Sequence, residues 1–152
     1  MHETLAAYGL PALFILSFLA ATMLPLGSEW LLVALLIQEH DPLLTVIVAT
    51  TGNYIGACTS YAIGIYGGDF LIKKLLRIGD PERVKAERFF NRFGSWALLF
   101  SWMPVIGDPL CLAGGVLKIP FIKFSILVAS GKALRYSAVA WLTLKGVQSM
   151  TT

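Results

Sequence analysis

Charge is scarce in this chain. Only 14% of its 152 residues are Asp, Glu, Lys or Arg, against 57% hydrophobic, and the mean hydropathy is +0.73. A water-facing domain carries about a quarter charged residues, so an all-α integral membrane protein is expected instead. Cysteine is nearly absent too. Cys58 and Cys111 stand alone in apolar stretches, with no CxxC spacing and no histidine beside them. They read as small packed hydrophobes and exclude a disulfide scaffold. His2 and His40 fall in a terminus and a loop, and no P-loop, HExxH, GxSxG or GxGxxG occurs. Nothing therefore points to an enzyme, a cofactor, a metal or a nucleic-acid partner. No Lys or Arg precedes the first apolar stretch and no small-residue cleavage pattern follows it, so that stretch is kept as structure.

What is present falls into four apolar blocks: Tyr8–Ile37, Leu43–Tyr66, Trp96–Leu117 and Pro120–Leu144. Crossing the hydrocarbon core takes about 20 helical residues. The second and fourth blocks fit single spans. The first and third are each interrupted near the middle by proline and glycine next to an acid, in PLGSE (Pro25, Gly27, Glu29) and PVIGD (Pro104, Gly107, Asp108). A proline frees backbone groups that lipid cannot satisfy. Each break thus marks a kinked crossing helix or the tip of a re-entrant hairpin. Positive charge favours the hairpin. Lys73, Lys74, Arg77, Arg83, Lys85, Arg88 and Arg92 crowd the loop 69–93, which belongs in the cytoplasm, whereas Gln38–Pro42 has no Lys or Arg. Hairpins return Lys118 and Lys123 to the cytoplasmic side and leave both termini outside. Within the basic loop, Asp80 as N-cap and Pro81 in the first turn open an amphipathic helix over 81–93, with Val84, Phe89, Phe90 and Phe93 among basic residues. Such a helix lies in the membrane interface.

A shift of 79 positions lays the chain on itself: Pro25 on Pro104, Glu29 on Asp108, Gly52 on Gly131, Asn53 on Lys132. The matches land on the proline, the acid, and the glycine that opens a polar site in the next span. One hairpin plus one span crosses the membrane an odd number of times, so a second copy is inverted. The expected architecture is two inverted repeats, about 8–68 (hairpin 8–37, span 43–66) and 94–146 (hairpin 96–117, span 120–144), in a single membrane domain. Secondary transporters build a midplane site from such paired broken helices. Gly52, Gly56, Ser60, Gly64 and Gly68 recur every four residues, a stripe that lets a neighbouring helix approach closely.

Together LPLGSE, TGNYIG, FFNRFG, WMPVIGD, AGG (Ala113–Gly115) and SGKALRY resemble the DedA family, also called the VTT or SNARE-associated Golgi protein family. The resemblance covers nearly the whole chain, and SWMPVIGD with GKALRY is most similar to the short YqaA-like bacterial branch. It implies the order hairpin, span, amphipathic helix, hairpin, span in a bacterial inner membrane. It also implies movement of lipid between leaflets, polyprenyl phosphates and phospholipids included, often with dependence on the proton gradient. Glu29 matches the family's hairpin acid, and Arg92 the arginine before the glycine ahead of the second hairpin. Larger members carry arginines where this chain has Ser101 and Gly107. Lys132 and Arg135, on one helical face at i and i+3, stand in as candidate ligands for an anionic headgroup. Arg135 is the stronger, because an arginine stays charged when buried.

Glu29 and Asp108 read either as caps of the second half-helices or as proton-exchanging coupling groups. Lys132 and Arg135 read as substrate ligands, with Asn53 and Arg92, or as plain counter-ions. Three functions follow: a lipid flippase or scramblase, a small-ion or proton antiporter, and a non-transporting membrane organiser. The small size favours a homo-oligomer.

Overall fold

The structure is a computed structural model that describes residues 2–22, 28–67, 80–103 and 106–150. The described residues are helical, without a strand: α1 (His2–Ala20), α2 (Glu29–Ile37), α3 (Pro42–Tyr66), α4 (Asp80–Phe93), a 3-10 segment (Gly94–Trp102), α5 (Gly107–Val116) and α6 (Phe121–Met150). Local chemistry accounts for the main boundaries. Asp41 opens α3: its carboxylate accepts the Leu44 N–H at 2.8 Å, and Pro42, which has no N–H to satisfy, takes the first helical position. The helix stops before Gly67, whose N–H returns to the Ile63 carbonyl.

Lengths separate the helices into two kinds. With 25 residues α3 is long and apolar enough to cross a membrane. At 1.5 Å per residue it measures roughly 37 Å, and the 30-residue α6 is longer still. By contrast α2 and α5 have nine and ten residues and span about 15 Å, half a hydrocarbon core.

Close contacts fix how these pieces run. Gly9 of α1 faces Leu35 of α2, so the chain doubles back between the two helices. Further along, Gly107 lies on the Ser101 carbonyl and Gly114 on Leu98, so α5 folds back along the 3-10 segment. Gly52 and Gly56 of α3 sit on the backbone of Phe14 and Phe18, which sets α1 parallel to α3. The two long helices are antiparallel. Asn53 meets Lys132 at one end of their contact, and at the other the Tyr61 ring lies 4.3 Å from that of Phe124 while its hydroxyl reaches the Ile119 carbonyl at 2.5 Å. Each long helix thus holds two of the shorter elements: α1 and α5 pack on α3, the 3-10 segment and α2 on α6.

Two apolar clusters flank the crossing of α3 and α6. Leu13, Leu31, Leu32, Leu35, Leu36, Tyr136 and Ala140 make one, and Ala57, Tyr61, Leu98, Leu110, Cys111, Phe124 and Val128 belong to the other. Both cysteines are free, Cys111 fully buried and Cys58 partly so. Phe90 plugs α4 into the second cluster, while Val84, Lys85, Arg88, Arg92 and Phe93 of the same helix stay exposed.

Candidate functional site

Between the apolar clusters lies a polar one. Its centre is Lys132 of α6, only 3% exposed, whose ammonium donates to Asn53 Oδ1 on α3. That bond sets the amide's orientation, since a lysine has donors only and the oxygen must face it. The Asn53 Nδ2 then donates to the Tyr136 hydroxyl at 3.0 Å, which shares a 2.6 Å hydrogen bond with Ser28 Oγ. Four buried side chains from α3, α6 and the start of α2 thereby form one chain of hydrogen bonds.

A second charged group lies beside it, toward the rim. Arg135 is three residues beyond Lys132 and less than one turn away. Its Nη2 pairs with Glu29 Oε1, and its Nη1 donates to the Trp102 carbonyl at 3.0 Å. One guanidinium therefore ties the start of α2 to the end of the 3-10 segment. Both side chains of the ion pair are 22% exposed, so the pair stands at the edge of the buried cluster. Asp108, in the first turn of α5, lies within electrostatic reach of Lys132 and Arg135. Glu29 is thus paired with Arg135, and Asp108 stands within electrostatic reach of both cations. The acids sit in the first turns of α2 and α5, where the helix dipole is positive. An anion arriving at Arg135 must displace the Glu29 carboxylate or bring a proton with it.

The expected site residues separate into three sets. Glu29 pairs with Arg135 and Lys132 with Asn53, Asp108 lies within electrostatic reach of both cations, and Gly107, the residue before Asp108, packs on the Ser101 carbonyl. Pro25, Gly27 and Pro104 lie outside the described residues. Arg92 stays apart: it is exposed on α4, its guanidinium 5.4 Å from the Phe93 ring centroid. The capping reading of the acids needs correction. Ser28 and Ile106 hold the N-cap positions of α2 and α5, and Arg135 takes up the Glu29 carboxylate. Ser101 is 3% exposed, and its hydroxyl makes no hydrogen bond among the described residues. No group of three or more metal-ligating side chains occurs among the described residues.

Tyr136 and Ser28 were not singled out from the sequence, although Tyr136 follows Lys132 by four residues and so shares its helical face. Removing the hydroxyl tests its part. Tyr136→Phe leaves Asn53 Nδ2 and Ser28 Oγ without their shared partner, and each orphaned buried group costs about 1–3 kcal/mol at most. A drop of the unfolding midpoint in detergent, with unchanged helical circular dichroism, is the expected result.

Described residues that are all helical, in so apolar a chain and with one helix long enough to cross a membrane, are consistent with a helical membrane protein. The VTT domain family matches residues 24–143, and the chain belongs to that family, the DedA proteins. It is 41% identical over 148 residues to the inner membrane protein YqaA of Escherichia coli, covering 97% of both chains. A Haemophilus influenzae protein is 35% identical over 142 residues, covering 86% of this chain and 85% of that one. Undecaprenyl phosphate transporter A of Bacillus subtilis is 32% identical over 87 residues, 54% of this chain and 43% of that one. No solved structure matches.

Proposed function

We propose that the protein is an inner-membrane lipid transporter of the flippase or scramblase type, which moves a phosphorylated or otherwise anionic lipid headgroup past the cluster between its hairpins with proton coupling. The observation that carries this is the placement of Lys132 and Arg135 together beside Glu29 and Asp108. Cations are kept at such depth in an apolar chain only with partners and, as a rule, for function. The name of the Bacillus subtilis relative supports a polyprenyl phosphate as cargo, and the name of the Escherichia coli relative supports the inner membrane.

In this reading α1 with α2, and the 3-10 segment with α5, are re-entrant hairpins of two inverted repeats. Their short second arms support it, since nine and ten residues do not reach across a bilayer. So does the packing of Gly9 on Leu35, which one kinked crossing helix does not give. The basic segment leading into α4 faces the cytoplasm, and α4 lies in the interface. The headgroup enters between the hairpins while its tails stay in lipid. Arg135 offers a planar fork that matches two phosphate oxygens, and Lys132 adds a second charge held in place by Asn53. Glu29 or Asp108 takes up a proton as the anion arrives, which keeps the cluster neutral, and releases it on the other side.

The test is headgroup translocation in proteoliposomes, comparing a polyprenyl phosphate with a bulk phospholipid, with and without a proton gradient. Wild type is expected to move the polyprenyl phosphate faster when the gradient is imposed. Folded Arg135→Ala and Glu29→Gln proteins are expected to lose at least about tenfold in rate, as the loss of a charge-assisted contact predicts. Folded wild-type protein that moves neither lipid would remove the proposal.

A further inference from the structure

The Glu29 carboxylate and a lipid phosphate want the same thing, the fork of Arg135. Both are planar-edged oxyanions that accept two parallel N–H bonds from a guanidinium. In the structure the fork is already engaged on both sides, Nη1 by the Trp102 carbonyl and Nη2 by Glu29. The carbonyl carries no net charge and belongs to the segment that packs along α6, whereas the carboxylate stands on a short helix. We infer that Glu29 is a resident competitor for the headgroup at Arg135 and thereby sets which lipids the site accepts, an inference that rests on the lipid-headgroup reading above.

Geometry keeps the competitor close. The residue before Glu29, Ser28, is 1% exposed and bonded to Tyr136, and the leucines after it, Leu31, Leu32 and Leu35, are buried in the cluster with Tyr136 and Ala140. The start of α2 is thus anchored on both sides of Glu29. A carboxylate displaced from Arg135 remains tethered near it, at an effective concentration in the millimolar range or above. Only a headgroup that beats that concentration takes the site. A phosphomonoester, with a charge of about −1.5 to −2 near neutral pH, competes well. A zwitterionic phosphodiester, with one negative charge and a cation of its own, competes poorly. The bulk phospholipid around the protein is thereby held off without any steric gate. Discrimination of this kind comes from an unfavourable element built against the wrong ligand.

Neutralising the competitor separates the two roles. Purified wild type, Glu29→Gln and Arg135→Ala proteins in detergent are titrated with farnesyl phosphate, farnesol, inorganic phosphate and dioleoylphosphatidylcholine, and the bound fraction is read by native mass spectrometry. Glu29→Gln keeps the side-chain shape but loses the charge. It is expected to bind farnesyl phosphate about tenfold more tightly than wild type, or 1.4 kcal/mol, and to gain binding of the phosphatidylcholine, while Arg135→Ala loses both. Farnesol is expected to bind no protein, and inorganic phosphate to follow the same order more weakly. Binding by Glu29→Gln that is equal to or weaker than that of wild type overturns the competitor and leaves the headgroup reading in place. No binding of farnesyl phosphate or inorganic phosphate by either protein overturns both. Inorganic phosphate bound where farnesyl phosphate is not keeps the competitor and removes the lipid. Should Glu29→Gln not fold, Glu29→Asp withdraws the carboxylate by one methylene and is expected to give the same order with a smaller factor.

Discussion

Asn53→Leu is expected to destabilise the protein by about 3–5 kcal/mol, the penalty for stripping a buried charge of its partner. The Lys132 ammonium is 3% exposed and donates to Asn53 Oδ1; leucine fills the space of the amide and offers the cation nothing. Lys132→Met, which removes the charge but keeps the length, is expected to cost less, about 1–3 kcal/mol, because the Asn53 oxygen that loses its bond is neutral and Asp108 keeps Arg135 within electrostatic reach. Combining the two replaces the polar pair by an apolar pair of similar volume, and the double variant is expected to recover most of the stability lost by Asn53→Leu. Unfolding midpoints for the four proteins in detergent close the cycle. A strongly favourable coupling shows that Asn53 exists to hold the ammonium. If the two losses simply add, the lysine finds another partner, and Asp108 is the one within electrostatic reach. A protein that recovers stability without the pair, yet no longer transports, identifies the charge as kept for function rather than for the fold.

The hydrogen bond from Lys132 to Asn53 was half legible in the sequence. The shift that laid Pro25 on Pro104 and Glu29 on Asp108 also laid Asn53 on Lys132, and the structure joins these two side chains directly. The places where helices break were legible as well. A proline removes a helical hydrogen bond that lipid cannot replace, and α1 ends at Ala20 while α2 begins at Glu29, on either side of Pro25. The Tyr136 hub was not legible, because a tyrosine in an apolar run looks like packing until its hydroxyl is seen against Asn53 and Ser28. Nor was the 3-10 segment: Gly94–Trp102 has the composition of a membrane helix, and apolar periodicity does not separate three residues per turn from 3.6. Arg92 was chosen by motif alone. In the structure it occupies the exposed face of α4, which suits contact with lipid headgroups at the surface better than a place in the cluster.

Neighbouring glycines on α5 and one at the end of α6 are expected to respond in three different ways to the same substitution. A Cβ on Gly115 lands on the Tyr61 carbonyl oxygen of α3, with the Gly64 Cα at 3.0 Å behind it. Both obstacles are backbone, so no side chain can rotate away and α3 and α5 must part. Overpacking of a core costs about 1–3 kcal/mol when side chains can adjust, and Gly115→Ala is expected to reach or exceed the upper end of that range. A Cβ on Gly114 meets the tip of Leu98 at 3.2 Å, a flexible group, and Gly114→Ala is expected to cost about 1 kcal/mol or less. Gly146, exposed and with nothing within 4 Å of the added carbon, carries only the helix penalty of glycine. Gly146→Ala is therefore expected to stabilise by up to about 1 kcal/mol. Unfolding midpoints of the three variants read the order directly, and a harmless Gly115→Ala would show that α3 and α5 are not in backbone contact. The same variant reports on the cluster. Asp108 stands on α5 seven residues before Gly115, so forcing that helix off α3 also draws the carboxylate away from Lys132 and Arg135. Translocation is expected to fall with stability in Gly115→Ala and to survive in Gly146→Ala, which ties the close approach of two backbones to the place of Asp108 two turns away.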